Sequence, residues 1–124
     1  MDEHVQNALA QGHTIDITTI GRKSGLPRRI EIAFYNLDGH LYLWGRTPGR
    51  RDWFAKLQVN PQFIFHLKES VQADLPASAR IVVDKAERRE IFSRLIQTSE
   101  SESNLETVIE SSPLVEVTIE ADGA

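Results

Sequence analysis

Arg22, Lys23, Arg28, Arg29, Arg46, Arg50, Arg51 and Lys56 stand between Gly21 and Lys56, where the only carboxylates are Glu31, Asp38 and Asp52. Eight cations against three anions put this segment at +5 in a chain of net charge −4, so the remainder carries −9. A small acidic protein that keeps its positive charge in one stretch is equipped to hold an anion there. The chemistry concentrates in Gly21-Arg22-Lys23-Ser24-Gly25. A phosphate or carboxylate needs several donors converging on one point, and a glycine-bracketed loop can present consecutive backbone N–H groups as a concave nest. Arg22 and Arg28 add forked donors, Lys23 a point charge and Ser24 a hydroxyl. The loop is neither a Walker A sequence, whose G-x-x-x-x-G-K-S/T spacing is absent, nor a dinucleotide fingerprint. A charged turn is most often only solvated surface. Here a second cluster, Arg46, Arg50 and Arg51, follows a strand, a hairpin and a strand, a path that can return to the same end of a sheet.

Nothing else in the sequence demands a catalytic role. There is no cysteine, which removes disulfides, thiolate metal sites and cysteine nucleophiles together. His4, His13, His40 and His66 show no metal-ligand spacing. His66 alternates with Phe65 and Leu67 and is a weak candidate proton donor. No serine–histidine–aspartate order stands out, and Ser24 reads as an anion ligand. Glu100, Glu102, Glu106 and Glu110 read as a solvated acidic face.

The elements that must position the loop follow from periodicity. Thr14 to Ile20 and Arg28 to Tyr35 alternate apolar and polar residues, the second with Ile30, Ile32 and Phe34 on one face. Asn36-Leu37-Asp38-Gly39 reads as a hairpin loop with positive φ at the glycine. His40 to Gly45 continues as a strand, Leu41 and Leu43 on one face and Tyr42 and Trp44 on the other. Trp53, Phe54 and Leu57 give a short amphipathic helix over Arg50 to Gln58, ended by Asn60-Pro61. Phe63, Phe65 and Leu67 form a strand, and Gln72 to Leu75 and Ala79 to Val83 read as two more. Asp84 is an N-cap candidate for a helix to about Gln97 with a stripe of Ala86, Ile91, Leu95 and Ile96. Thr98 to Asn104 reads as a loop, Leu105 to Ile109 as a short helix, and Val115, Val117 and Ile119 as a last strand.

Six or seven short strands with two principal helices, in 124 residues and without internal repeat or linker, predict a mainly β protein. The expected form is one domain over 1–124, a small β-barrel with accessory helices. The first thirteen residues lack the apolar run of a signal peptide, and no stretch approaches a membrane span. With the missing cysteines, this is compatible with a cytoplasmic protein. The net negative charge speaks against a general nucleic-acid binder.

Thr18-Thr19-Ile20-Gly21-Arg22-Lys23-Ser24-Gly25-Leu26-Pro27-Arg28 resembles the T-T-x-G-R-K-S/T-G-x-P-R signature of the deazaflavin-dependent nitroreductases. These belong to the flavin- and deazaflavin-binding split-barrel superfamily. Trp53 followed by Asn60-Pro61 is similar to that family's W-Y/F-x-N-L/I-x-x-N-P helix. The resemblance runs from about Thr14 to Lys68 and more loosely to Ala86. It implies a split β-barrel of the FMN-binding kind that holds coenzyme F-420, a deazaflavin with a strongly anionic phospholactyl-polyglutamate tail. On that model Arg22, Lys23, Ser24 and Arg28 hold the phosphate and the start of the tail. Trp44, Gly45, Arg46 and Thr47 lie beside the ring, and Arg50, Arg51, Trp53 and Lys56 close the site. Three departures stand out. Glu31 occupies a position where relatives often have proline, the loop after Thr47 is shortened, and Lys56 replaces an asparagine.

The activity so implied is hydride transfer from the reduced coenzyme to a quinone, nitro compound or activated alkene, in a protein that pairs as a homodimer. Two alternatives keep other chemistry open: an FMN- or haem-binding split barrel, and a non-enzymatic module for an anionic ligand or nucleic acid. FMN, with one phosphate, needs a single basic cluster; the second cluster favours the longer tail.

Overall fold

The computed structural model describes residues 3–12, 14–20, 25–45, 52–69, 71–99 and 104–120. Six antiparallel strands close a barrel, with four helices around it. In chain order these are α1 (Glu3–Gln11), β1 (Thr14–Ile20), β2 (Pro27–Leu37), β3 (His40–Trp44), α2 (Asp52–Val59), β4 (Gln62–Leu67), β5 (Ala73–Ile81), α3 (Lys85–Ser99), α4 (Leu105–Ser111) and β6 (Leu114–Ile119). Around the barrel the order is β1-β2-β3-β6-β5-β4, with β4 returning to β1. Among the described residues no helix is long and apolar enough to cross a membrane.

Alternation decides the interior. Ile15 and Ile17 of β1, Phe34 of β2, Leu41 and Leu43 of β3, Phe63, Phe65 and Leu67 of β4, Ala77 of β5, and Val115 and Val117 of β6 point inward and are buried. Phe34 meets Phe65 edge-on at 5.1 Å between ring centres. One end of the barrel is plugged by Val5, Ala8 and Leu9 of α1, where Asn36 donates its side-chain N–H to the Leu9 carbonyl at 2.9 Å. The other end is covered by Trp53 and Leu57 of α2. A second core lies outside the barrel. There Tyr42 and Trp44, on the outer face of β3, pack beneath Ile91, Phe92 and Leu95 of α3 and Val108 and Ile109 of α4. The two faces expected for this strand are thus both buried, each in a different core.

Several expectations need correction. The sequence pattern assigns no element to the first thirteen residues; α1 forms there, its apolar residues spaced i, i+3, i+4. The hairpin loop shrinks to Asp38 and Gly39, with φ of 53° and 90°. Asn36 and Leu37 stay in β2, because a turn with both central residues at positive φ matches the twist of the paired strands. Gln72–Leu75 and Ala79–Val83 are not two strands: residues 73–75 and 79–81 are parts of β5, which runs through Pro76, and Gln72, Val82 and Val83 lie outside it. Pro76 accepts from the Glu120 N–H at 2.9 Å, so its donor-less nitrogen faces the end of β6, where the missing N–H costs no ladder bond. Ala86 is exposed, and the buried stripe of α3 is Arg88, Ile91, Phe92 and Leu95. Asp84 does cap this helix, accepting from the Glu87 N–H at 2.9 Å.

The outer face of β1, β2 and β4 carries a charged row. Asp16 accepts from Lys68 Nζ at 2.8 Å and Arg29 Nε at 2.9 Å, and Lys68 also pairs with Glu31. The Lys68 hydrogen bond, with help from Arg29, holds the Asp16 carboxyl below its usual range. A carboxylate with a depressed folded-state pKa contributes fully above its unfolded value, about 3.9, and its contribution is lost as pH falls through the folded value. Asp74 and Glu87, lowered by bonds from His66 and Arg80, act in the same direction. The urea midpoint should therefore hold between pH 5 and 7 and fall below about pH 4. Asp16→Asn should be less stable than the parent at pH 7 and lose less on acidification; parallel curves for the two proteins would show that the pair contributes nothing.

Candidate functional site

The site arises from a mismatch in strand length. β2 has 11 residues and β3 has 5. Their ladder runs only from Leu37↔His40 to Phe34↔Leu43. Beyond it Trp44 pairs with Leu114 of β6, while residues 27–33 of β2 pair with β1. The two strands part, and between them opens a cleft of about 590 Å³. Because it opens at a strand edge, residues from both faces of β2 reach it: Arg28, Ile30 and Ile32 from one, Glu31, Ala33 and Tyr35 from the other. The opposite wall is Trp44 and Gly45, and the end is closed by Asp52, Trp53 and Lys56 of α2. Thr14 and Thr19 of β1 complete the lining. From Arg28 to Tyr35 the β2 wall spans about 23 Å at the usual strand rise.

Of the expected site residues, Arg28, Trp44, Gly45, Trp53 and Lys56 come together in this one cleft. Arg22, Lys23, Ser24, Arg46, Thr47, Arg50 and Arg51 lie outside the described residues. Arg28 stands 3.8 Å from Asp52, too far for a hydrogen bond, with both side chains exposed. Arg29 points to the outer face and is engaged by Asp16, so it adds nothing to the cleft. Glu31 is offset by Lys68. Among the described lining residues two cations therefore face two carboxylates, one of them already paired.

The tryptophans serve two purposes each. Trp53 is 5% exposed, belongs to the interior core and meets Phe54 edge-on at 5.9 Å. Trp44 is 3% exposed and lies between Tyr35, at 5.9 Å, and Phe92, at 5.4 Å. Each is mostly buried and lends the cleft little of its surface.

His66 does not face the cleft. It lies on the outer face, with Nδ1 2.7 Å from Asp74 and Nε2 2.6 Å from the Thr18 hydroxyl. With Asp74 ionised, Nδ1–H donates to the carboxylate, and Nε2 is within hydrogen-bond distance of the Thr18 hydroxyl. The trio ties β4 to both neighbours, and the candidate role of His66 as a proton donor to the cleft has no geometric support. Sequence reasoning missed Tyr35, Ile30, Ile32 and Ala33 as lining residues. The signal available was the length of the alternating run from Arg28 to Tyr35, which outlasts β3.

Gly45 is the tightest point of the wall. Its N–H donates to the Pro113 carbonyl at 3.0 Å, and a Cβ at Gly45 would lie 2.8 Å from Pro113 Cγ and 3.0 Å from Cδ. The pyrrolidine ring cannot swing away independently of its backbone.

No family model and no curated protein matches the chain. Solved structures do match its fold. A pyridoxamine 5'-phosphate oxidase candidate from Listeria innocua superposes with a TM-score of 0.64 at 13% identity, over 94% of this chain and 90% of that one. An FAD-binding protein from Mesorhizobium loti gives 0.60 at 16% identity, over 93% and 86%. An F-420-H2 dependent reductase gives 0.56 at 16% identity, over 85% and 93%. At these identities the likeness is one of fold, and the chain has the split β-barrel fold that the sequence led us to expect.

Gly45→Ala should destabilise the protein by roughly 1–3 kcal/mol, the usual range for forcing extra atoms into a filled site. A urea titration measures this, and an unchanged midpoint would show that the Pro113 contact yields freely.

Proposed function

We propose that the chain is a deazaflavin- or flavin-dependent oxidoreductase, with coenzyme F-420 as the cofactor that best fits its cleft. The observation that carries this reading is the long cleft at the open edge of β2, with apolar and aromatic walls and Arg28 and Lys56 at one end. An elongated ligand with a flat ring and an anionic tail suits such a shape. Both basic clusters adjoin the cleft in sequence. Residues 21–24 lead through Gly25 and Leu26 into β2, and residues 46–51 connect Gly45 to Asp52. Arg28 and Lys56, with Arg22, Lys23 and Ser24, would hold the phosphate and tail by charge-assisted bonds. Arg46, Arg50 and Arg51 would extend the cationic track, which is the feature that favours a polyanionic tail over the single phosphate of FMN. Gly45 and Thr47 would lie beside the ring.

When bound, the reduced coenzyme supplies a hydride for an electrophilic acceptor such as a quinone, a nitro compound or an activated alkene. The protein's own residues bind and orient. Ile30, Ile32 and Ala33 exclude water from one wall, and Trp44 and Tyr35 shape the other end. A homodimer is the assembly that accompanies this reading, with the open edge of β2 as a surface that a second copy can cover. A single domain over 1–124 and a cytoplasmic location belong to the same proposal.

Titration of the purified protein with oxidised coenzyme F-420, FMN and haem, followed by fluorescence or absorbance, tests the reading. Micromolar binding of the deazaflavin is expected, with FMN weaker. Arg22→Ala, Lys23→Ala and Arg28→Ala should each weaken it roughly tenfold to a hundredfold, the worth of a charge-assisted bond. A protein that ignores the deazaflavin but binds FMN or haem would move the assignment to those cofactors; one that binds none would leave a non-enzymatic barrel.

A further inference from the structure

Arg88 is the buried cation that the cleft does not use. It lies on α3 and is 8% exposed. Its guanidinium meets no carboxylate at hydrogen-bond distance among the described residues; it is ringed by main-chain carbonyls. Nε donates to Ile109 at 2.8 Å, Nη1 to Val82 at 2.8 Å, and Nη2 to Val108 at 3.1 Å and Ser112 at 2.6 Å. Three of these acceptors lie in α4 or at its C-terminal end, where a cation is favoured; the Val108 carbonyl also accepts from the Ser112 N–H. Removing a buried cation from water is costly, and burial lowers this guanidinium's pKa. A cation kept there under that cost does a job that an apolar side chain would not do.

Two routes lead from Arg88 to adjacent residues of the cleft wall. The first is covalent and hydrogen-bonded. Arg88 holds the Ser112 carbonyl, the next residue is Pro113, and Pro113 both accepts from the Gly45 N–H and fills the space where a Gly45 side chain would be. The second is aromatic. The guanidinium lies 5.2 Å from the centre of the Phe92 ring, and Phe92 meets Trp44 edge-on at 5.4 Å. Trp44 and Gly45 are the wall facing the open edge of β2, and Arg88 itself does not line the cleft.

We infer that Arg88 is a positioning residue that sets the place of the Trp44–Gly45 wall and, through it, the affinity of the cleft for its coenzyme. The part concerning affinity rests on the oxidoreductase reading above; the part concerning the wall does not. The discriminating variants are Arg88→Lys, which keeps a charge but loses the fork, and Pro113→Gly, which leaves the main-chain acceptors of Arg88 and of the Gly45 N–H in place but removes the ring packed against Gly45.

Amide hydrogen exchange at Gly45 is read first, in the protein without ligand and well below its melting temperature. Both variants should expose this amide at least about tenfold faster than the parent while amides of β4 and β5 keep their protection, the pattern of local rather than global opening. Deazaflavin affinity, followed by fluorescence, should fall by about twofold to thirtyfold in both, the range seen for residues that act through a packed network. If exchange at Gly45 quickens only in step with the whole protein, Arg88 is purely structural and the inference fails. If exchange responds locally while affinity for the coenzyme stays at the parental value, the wall is positioned but does not govern binding, which overturns the second half. If the parent itself binds no coenzyme, the oxidoreductase reading fails and the exchange result still decides the role of Arg88. Should Arg88→Lys fail to fold, Pro113→Gly supplies both readouts.

Discussion

An antiparallel ladder requires both strands to be present, and β3 stops where β2 continues. Phe34↔Leu43 is the last β2–β3 pair, so the residues of β2 before Phe34 keep β1 on one side and have the cleft on the other. In most sheets such an edge would be shortened, charged or covered. Here α2 covers its end with Trp53 and Leu57, and β3 turns away to pair with β6. The barrel therefore remains closed as a hydrogen-bonded cylinder while opening a cleft of about 590 Å³ in its wall. A strand rising about 3.3 Å per residue lets the cleft lining run about 23 Å along β2, from Arg28 to Tyr35.

The same short strand is buried on both sides, and this ties the site to the rest of the molecule. Leu41 and Leu43 belong to the interior, Tyr42 and Trp44 to the core beneath α3 and α4. A wall residue such as Trp44 cannot move without disturbing Phe92, and Gly45 cannot move without disturbing Pro113. Close-packed interiors transmit displacement in this way because they hold few voids to absorb it. The helices outside the barrel are thus supports of the cleft as well as cover for apolar surface.

Charge is distributed with equal economy. Arg29 and Lys68 are engaged by Asp16 and Glu31 on the outer face, and Arg80 is engaged by Glu87 and Glu116. A count of cations along the chain therefore overstates what reaches the cleft. Of the eight cations between Gly21 and Lys56, Arg28 and Lys56 are the ones that line it among the described residues. Glu31 looked from sequence like an intrusive carboxylate, yet Lys68, distant in the chain, offsets it.

Period-two alternation in Thr14–Ile20, Arg28–Tyr35 and Phe63–Leu67 was enough to assign strands and inward faces, because side-chain direction in a strand is a local property. Asp84 as a cap and Gly39 as a positive-φ turn residue were legible for the same reason. The Thr18–Arg28 motif and the basic clusters pointed to an anionic ligand, and five of the proposed residues do meet in one cleft. Only tertiary structure decided that the stretches read as two strands, Gln72–Leu75 and Ala79–Val83, fall largely in one, and that outward-facing His66 meets Asp74 and Thr18. It alone placed Tyr35 in the wall and left the edge of β2 open. Those outcomes depend on which strand lies alongside which and where each ladder stops. Hydrogen bonds between residues far apart in the chain settle that, and no local pattern encodes it.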